Sequence, residues 1–186
     1  VTEGFGGARD ARGVGEPPAG VREKAAVALI RGVDVERDLG GEREALRQLE
    51  HRQLVRRRHE SAVAGDSEWV FEHALIRDVA YRTIVRRLRA EKHHRAAEWM
   101  SSLSGDRRDR ADAIAFHYMT AFENAHASGT STAELRHEAL SALRAAAERA
   151  VSIHSHAEAA RLWRQAVDLS APDDGMRPRL LLEYGK

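Results

Sequence analysis

The sequence predicts a mainly α-helical fold with one β-hairpin. The hairpin belongs to a small winged-helix-like unit, and the helices after it stack in antiparallel pairs. Three observations predict this. The chain is 42% hydrophobic and 32% charged but only 5% aromatic, and the bulk is alanine, leucine, arginine and glutamate, all strong helix formers. A single stretch, from Leu54 to Phe71, reads as two strands around a glycine turn. After Leu88 every segment between turns reads as helix.

Residues 1–22 are expected to be a disordered lead-in. Gly4, Gly6, Gly7, Gly13, Gly15, Gly20, Pro17 and Pro18 crowd it, and Phe5 is its only large apolar side chain, too little to offset the entropy of ordering. Residues 23–88 are assigned to the winged-helix-like unit. Ala25 to Ile30 is an apolar run too short to separate a helix turn from a buried strand. Gly40-Gly41 punctuates the chain, and Glu42 to Leu54 then sets Ala45, Leu46, Leu49 and Leu54 on one helical face. The hairpin follows, with its turn at Ala64-Gly65-Asp66 and its return strand at Trp69-Val70-Phe71. A helix carrying Leu75, Ile76, Val79, Ala80 and Ile84 comes next.

Residues 89–186 are assigned to paired helices. One runs from about Ala90 to Leu103 and another from about Ala111 to Ala127, stopped by Ser128-Gly129. Ser131-Thr132-Ala133-Glu134 and Ser155-His156-Ala157-Glu158 have the capping-box pattern. They open helices toward Ile153 and Leu169, with a further helix starting near Arg179. Ala142, Ala145, Ala146, Ala150, Ala157, Ala159, Ala160 and Ala166 alternate with Leu162, Trp163 and Leu169. That alternation suits a solenoid, in which each pair completes its neighbour's core, and a plain bundle is the alternative.

Composition excludes several classes of function. The net charge of +1 sets up no global field for nucleic acid or membrane. With no cysteine there is no disulfide, thiolate zinc site or cysteine nucleophile. No apolar run approaches the roughly 20 residues of a membrane span, so no membrane partner is expected, and the cytoplasm is the expected compartment. The chain begins at Val1 rather than Met, which suggests a segment of a longer protein.

No catalytic residue and no metal ligand set is identified. A phosphate-cradling GxxxxGK[ST] loop is missing, and Pro17 and Pro18 remove the amide donors that the faintly similar Gly13-Val14-Gly15 would need. The ten histidines include no HExxH; His93 and His94 point to different helix sides, and His154 and His156 straddle a turn. Arg56, Arg57 and Arg58 form the one dense basic cluster. A basic wing can contact DNA, but the preceding helix mixes Arg43, Arg47 and Arg52 with Glu42, Glu44 and Glu50. A charged edge strand that resists aggregation explains the cluster equally simply, and nucleic acid is not the expected partner.

The stretch from Trp69 to Tyr81, WVFEHALIRDVAY, with the preceding ALRQLEHRQLVRRR, resembles the winged-helix segment of bacterial STAND-type AAA ATPases, multidomain regulators of the adenylate cyclase and LuxR type. The helices from Ala139 to Leu182, notably ALRAAAERAVSIHSHAEAARLWRQAVDL, resemble their tetratricopeptide (TPR) repeats. The likeness spans roughly residues 42–186 and is specific in 69–81 but generic in the repeats. It implies a non-catalytic transmission segment with no cofactor of its own, coupling the ATP or ADP state of an upstream nucleotide-binding domain to a protein partner or small inducer held by the helices. His73 is the residue the resemblance singles out. The wider group carries Met-His-Asp at this helix start, its histidine touching the ADP β-phosphate, whereas here Glu72-His73-Ala74 matches only the histidine. A helix N-terminus does welcome phosphate, although His73 could equally serve as a simple cap, and Phe71 and Tyr81 read as core. The Walker motifs and the first forty residues expected of the family have no counterpart in this sequence. Two other readings stay open: a DNA-binding winged-helix regulator, and a TPR-type interaction scaffold with no nucleotide link.

Overall fold

A computed structural model describes residues 39–59, 68–103 and 105–185. The lead-in at 1–22, the Ala25–Ile30 run and the hairpin turn at Ala64–Asp66 lie outside the described residues. The described chain is mainly helical with one two-stranded antiparallel sheet. In order it forms α1 (Leu39–His51), β1 (Val55–Arg57), β2 (Trp69–Phe71), α2 (Ala74–Thr83), α3 (Arg86–Ser102), a 3-10 turn (Arg107–Arg110), α4 (Ala111–Ala127), α5 (Ala133–Ser152), α6 (His156–Leu169) and α7 (Arg177–Tyr184).

α1 starts three residues earlier than its apolar pattern and takes Gly40-Gly41 into its first turn, so the pair does not break the chain there. It also ends earlier. Gln53 adopts a left-handed backbone, φ 57°. Its N–H donates to the Glu50 carbonyl, and the Leu54 N–H donates to the Leu49 carbonyl. This is a Schellman ending built on glutamine instead of glycine. Two more helices stop the same way, α4 at Gly129 (φ 72°) and α5 at His154 (φ 60°). Neither expected capping box forms. Thr132, not Ser131, is the N-cap of α5, and no side chain caps it. Ser155 caps α6 by position only: its side chain makes no cap bond, its N–H is spent on the Ala150 carbonyl, and Glu158 holds Arg161 at 2.9 and 2.5 Å.

In the hairpin Val55 faces Phe71, Arg56 faces Val70 and Arg57 faces Trp69. The core of this unit is thin. Val55 and Val70 are buried, but α2 buries nothing and the apolar face of α1 stays half-exposed at Leu46 and exposed at Leu49. α3 begins at Arg86 rather than near Ala90, so the expected division at 88/89 falls inside a helix. The chain turns at Ile84 and Val85, both extended.

The main core lies in α3 to α7. Extensive helix–helix packing joins α3 to α4, α4 to α5, α5 to α6 and α6 to α7, each helix on its sequence neighbour. Ala97, Ala121, Ala139, Ala146, Ala147 and Ala166 are wholly buried, and Ile114, Leu143, Leu162, Trp163 and Leu180 fill the spaces between them. Of the eight alanines expected at interfaces, Ala142, Ala146, Ala150, Ala159 and Ala166 are buried, while Ala145, Ala157 and Ala160 face solvent. Small side chains let helix axes approach closely, and a larger residue must push them apart. Ala146→Leu is therefore expected to destabilise by about 2 kcal/mol and lower the melting midpoint by about 5 °C in a thermal scan. His154→Gly is expected to do the reverse, gaining about 0.5 kcal/mol by relieving a left-handed non-glycine position.

Candidate functional site

The hairpin delivers the chain into α2 through Glu72 and His73. The Glu72 N–H donates to the Leu54 carbonyl, which closes the sheet just before the helix. His73 is then the N-cap residue, in an extended conformation, with an exposed side chain that makes no cap hydrogen bond. Its carbonyl accepts from Ile76 and Arg77 at 3.1 and 3.3 Å. The imidazole thus stands at a helix start beside free amides, an arrangement that can receive an anion.

The basic cluster is partly neutralised. Arg58 reaches the buried Glu68 carboxylate at 3.1 Å, and Arg56 lies 3.6 Å from Glu72. The Arg57 backbone N–H points at Glu50 Oε1, 3.4 Å away. Arg58 lies just past β1 and spends its charge on Glu68, which needs a partner to stay buried. Two of the three arginines of the basic cluster thus stand against carboxylates, while Arg56 and Arg57 remain exposed.

A second cluster went unread in the sequence. Where α2 meets α3 and α4, the Tyr81 hydroxyl lies 3.1 Å from His93 Nε2, and His93 Nδ1 lies 2.8 Å from His117 Nδ1. Both imidazoles are buried, His93 at 1% exposure and His117 at 0%. Tyr81 is half-buried, so it is a joint between units rather than plain core. Arg89 stacks 4.7 Å over the Tyr81 ring. It also donates to the carbonyls of Ile84 at 2.6 Å and Arg82 at 3.0 Å, closing the open end of α2. His94 points elsewhere, as its neighbouring position requires, and meets Glu138 of α5 at 2.9 Å.

The proton arrangement follows from hydrogen-bond inventory. Two Nδ1 atoms at 2.8 Å share one proton. If His93 donated it, His117 would carry its own proton on Nε2, where it has no partner among the described residues. If His117 donates, its Nε2 is a bare acceptor and His93 Nε2–H donates to the Tyr81 oxygen. The second arrangement avoids an orphan N–H in the core and is the cheaper one. Burial drives both imidazoles toward neutrality. The His93 pKa falls to about 4, from desolvation first and the Arg89 charge second, and that of His117 falls to about 3, from desolvation and then His93. Burial likewise raises the Tyr81 and Glu123 pKa values, with Arg89 opposing the shift at Tyr81.

A signal for this pair exists in the spacing. His93, Ala96, Ala97 and Met100 recur at helical intervals, as do Ile114, His117, Tyr118 and Ala121, so each histidine occupies a core-facing position. Nothing in the sequence says that the two would meet. Among the described residues no three His, Asp or Glu side chains converge on a metal position. Comparison with protein-family models, curated proteins and solved structures found no match.

The buried pair makes stability depend on pH. Both groups have folded pKa values below the unfolded 6.5, so the unfolded state takes up protons first as pH falls. Stability is full above about pH 6.5 and is lost toward pH 4, each imidazole contributing up to about 1.4 kcal/mol per pH unit. Urea unfolding at pH 8, 7, 6 and 5 is expected to show this fall in the wild type, and a markedly shallower one in His93→Leu/His117→Leu.

Proposed function

We propose that the chain is a non-catalytic transmission segment of a STAND-type ATP-binding signalling protein, working in the cytoplasm. The hairpin unit reads the nucleotide state of an upstream domain, and the TPR-like helices answer to a protein partner or small inducer. The observation that carries this reading is the construction of α2. One end presents an exposed histidine at a helix start, and the other is held to the helical array by Tyr81 and Arg89. A ten-residue helix is about 15 Å long and moves as a rod. Displacement of its N-terminus by loss of a phosphate contact would therefore strain the Tyr81–His93 hydrogen bond at its far end, and the array would feel it. The packing of each helix on its sequence neighbour supports the TPR-like reading, since stacked pairs propagate small displacements along the stack.

The carboxylates around Arg56, Arg57 and Arg58 weigh against a DNA-binding wing, because a phosphate would have to displace them. The test is made in the parent protein. His73→Ala is expected to weaken ADP binding about tenfold, the worth of one charge-assisted hydrogen bond, and to raise basal activation. Unchanged ADP affinity together with unchanged activation would remove the switch role.

A further inference from the structure

The corner between α2 and α3 is built against the interest of its own helices. Val85 is the N-cap of α3 and offers no capping group, where a short polar side chain would satisfy the helix amides. Arg86 and Arg87 follow in the first turn, which holds no acidic residue, so two positive charges sit at the positive end of the helix dipole. From Arg82 to Arg89 the chain carries four arginines and no carboxylate. Arg89 is occupied by Tyr81 and the end of α2. Arg82, Arg86 and Arg87 are exposed and have no side-chain hydrogen bond or ion pair among the described residues. Large apolar side chains stand among them. Val85 is 68% exposed, with Val79 and Leu88 also exposed; Val79 shares one face of α2 with Arg82, and Leu75, 74% exposed, continues that face toward His73.

Solvent-exposed aliphatics and unpaired arginines at one helix junction, at a cost to helix stability, suit something other than folding. We propose that this corner is a peripheral docking surface for an anionic lipid membrane. The aliphatic side chains would enter the headgroup boundary and the three guanidinium groups would meet lipid phosphate and carboxylate. Charge complementarity favours this occupant. Tyr81, the aromatic ring at this corner, is already covered by Arg89 and so is not free to stack on a base, and exposed aliphatics suit a fluid surface better than a preformed protein groove. No helix among the described residues is long and apolar enough to cross a membrane, so the contact is with the membrane surface alone. The net charge of +1 conceals this local concentration. The proposal is independent of the nucleotide-switch reading.

The whole chain is tested by co-sedimentation with vesicles of phosphatidylcholine containing about one-third phosphatidylserine, against vesicles of phosphatidylcholine alone. Binding only to the anionic vesicles, declining with salt, is expected. Arg82→Glu/Arg86→Glu/Arg87→Glu is expected to lower partitioning about 100-fold, and Val85→Asp about tenfold. The carboxylates introduced at 85, 86 and 87 complement the start of α3 and offset the one placed at 82 in the last turn of α2, so the melting temperature should hold, which separates lost binding from lost fold. Absence of vesicle binding, or binding that ignores these substitutions, overturns the proposal. So does concentration-dependent self-association abolished by Leu75→Asp, which would make a second copy the occupant. A duplex DNA shift that outcompetes the vesicles through the same arginines overturns it too.

Discussion

The structure depends on the close approach of alanine-surfaced helices. With 5% aromatic residues the chain has few side chains able to bridge widely spaced helices, so burial must come from proximity. Ala97, Ala121, Ala139, Ala146 and Ala166 have no accessible surface, and each lies in one of the successive helices α3 to α6. The same proximity explains the buried histidines. Ala96 and Ala97 stand one turn from His93, and Ala121 one turn from His117. Wherever the axes draw together, imidazoles at those levels end within one hydrogen bond of each other. The polar pair is thus a by-product of the packing that also dictates its proton arrangement.

Stability is distributed unevenly along the chain. The array from α3 to α7 shares one continuous apolar core, whereas the hairpin unit rests on Val55, Val70 and the Arg58–Glu68 pair. A unit with so little buried area opens more readily than the elements it adjoins. Tyr81 and Arg89 therefore matter beyond their own contacts, since they tie the less stable part to the more stable one.

Helical periodicity was legible because alanine and leucine repeat without interruption from Leu88 onward, and Gly129 announced the end of α4 because only glycine adopts that backbone freely. Gln53 and His154 do the same work with no such announcement, so the end of α1 was misplaced. His154 escaped that fate only because a serine cap followed it. The capping boxes failed for a different reason. In one the serine N–H is spent on the Ala150 carbonyl and the glutamate holds Arg161; in the other the serine sits one residue too early. The hairpin could be read from its strand and turn residues, but the carboxylates that meet Arg56 and Arg58 are Glu72 and Glu68, outside the basic run, and Glu50 takes only the Arg57 backbone N–H. That the two core-facing histidines meet is illegible for the same reason, since their contact spans 24 residues of chain.

The cluster of Tyr81, Arg89, His93 and His117 also constrains how such a sequence can drift. Loss of His93 alone strands the buried His117 imidazole, and loss of Arg89 leaves the carbonyls of Ile84 and Arg82 without their donor. Replacing the two imidazoles together with aliphatics leaves nothing stranded between α3 and α4. Inheritance of the two imidazoles would then be all-or-nothing: descendants of this chain would keep both or lose both, and positions 93 and 117 would covary although they lie on different helices.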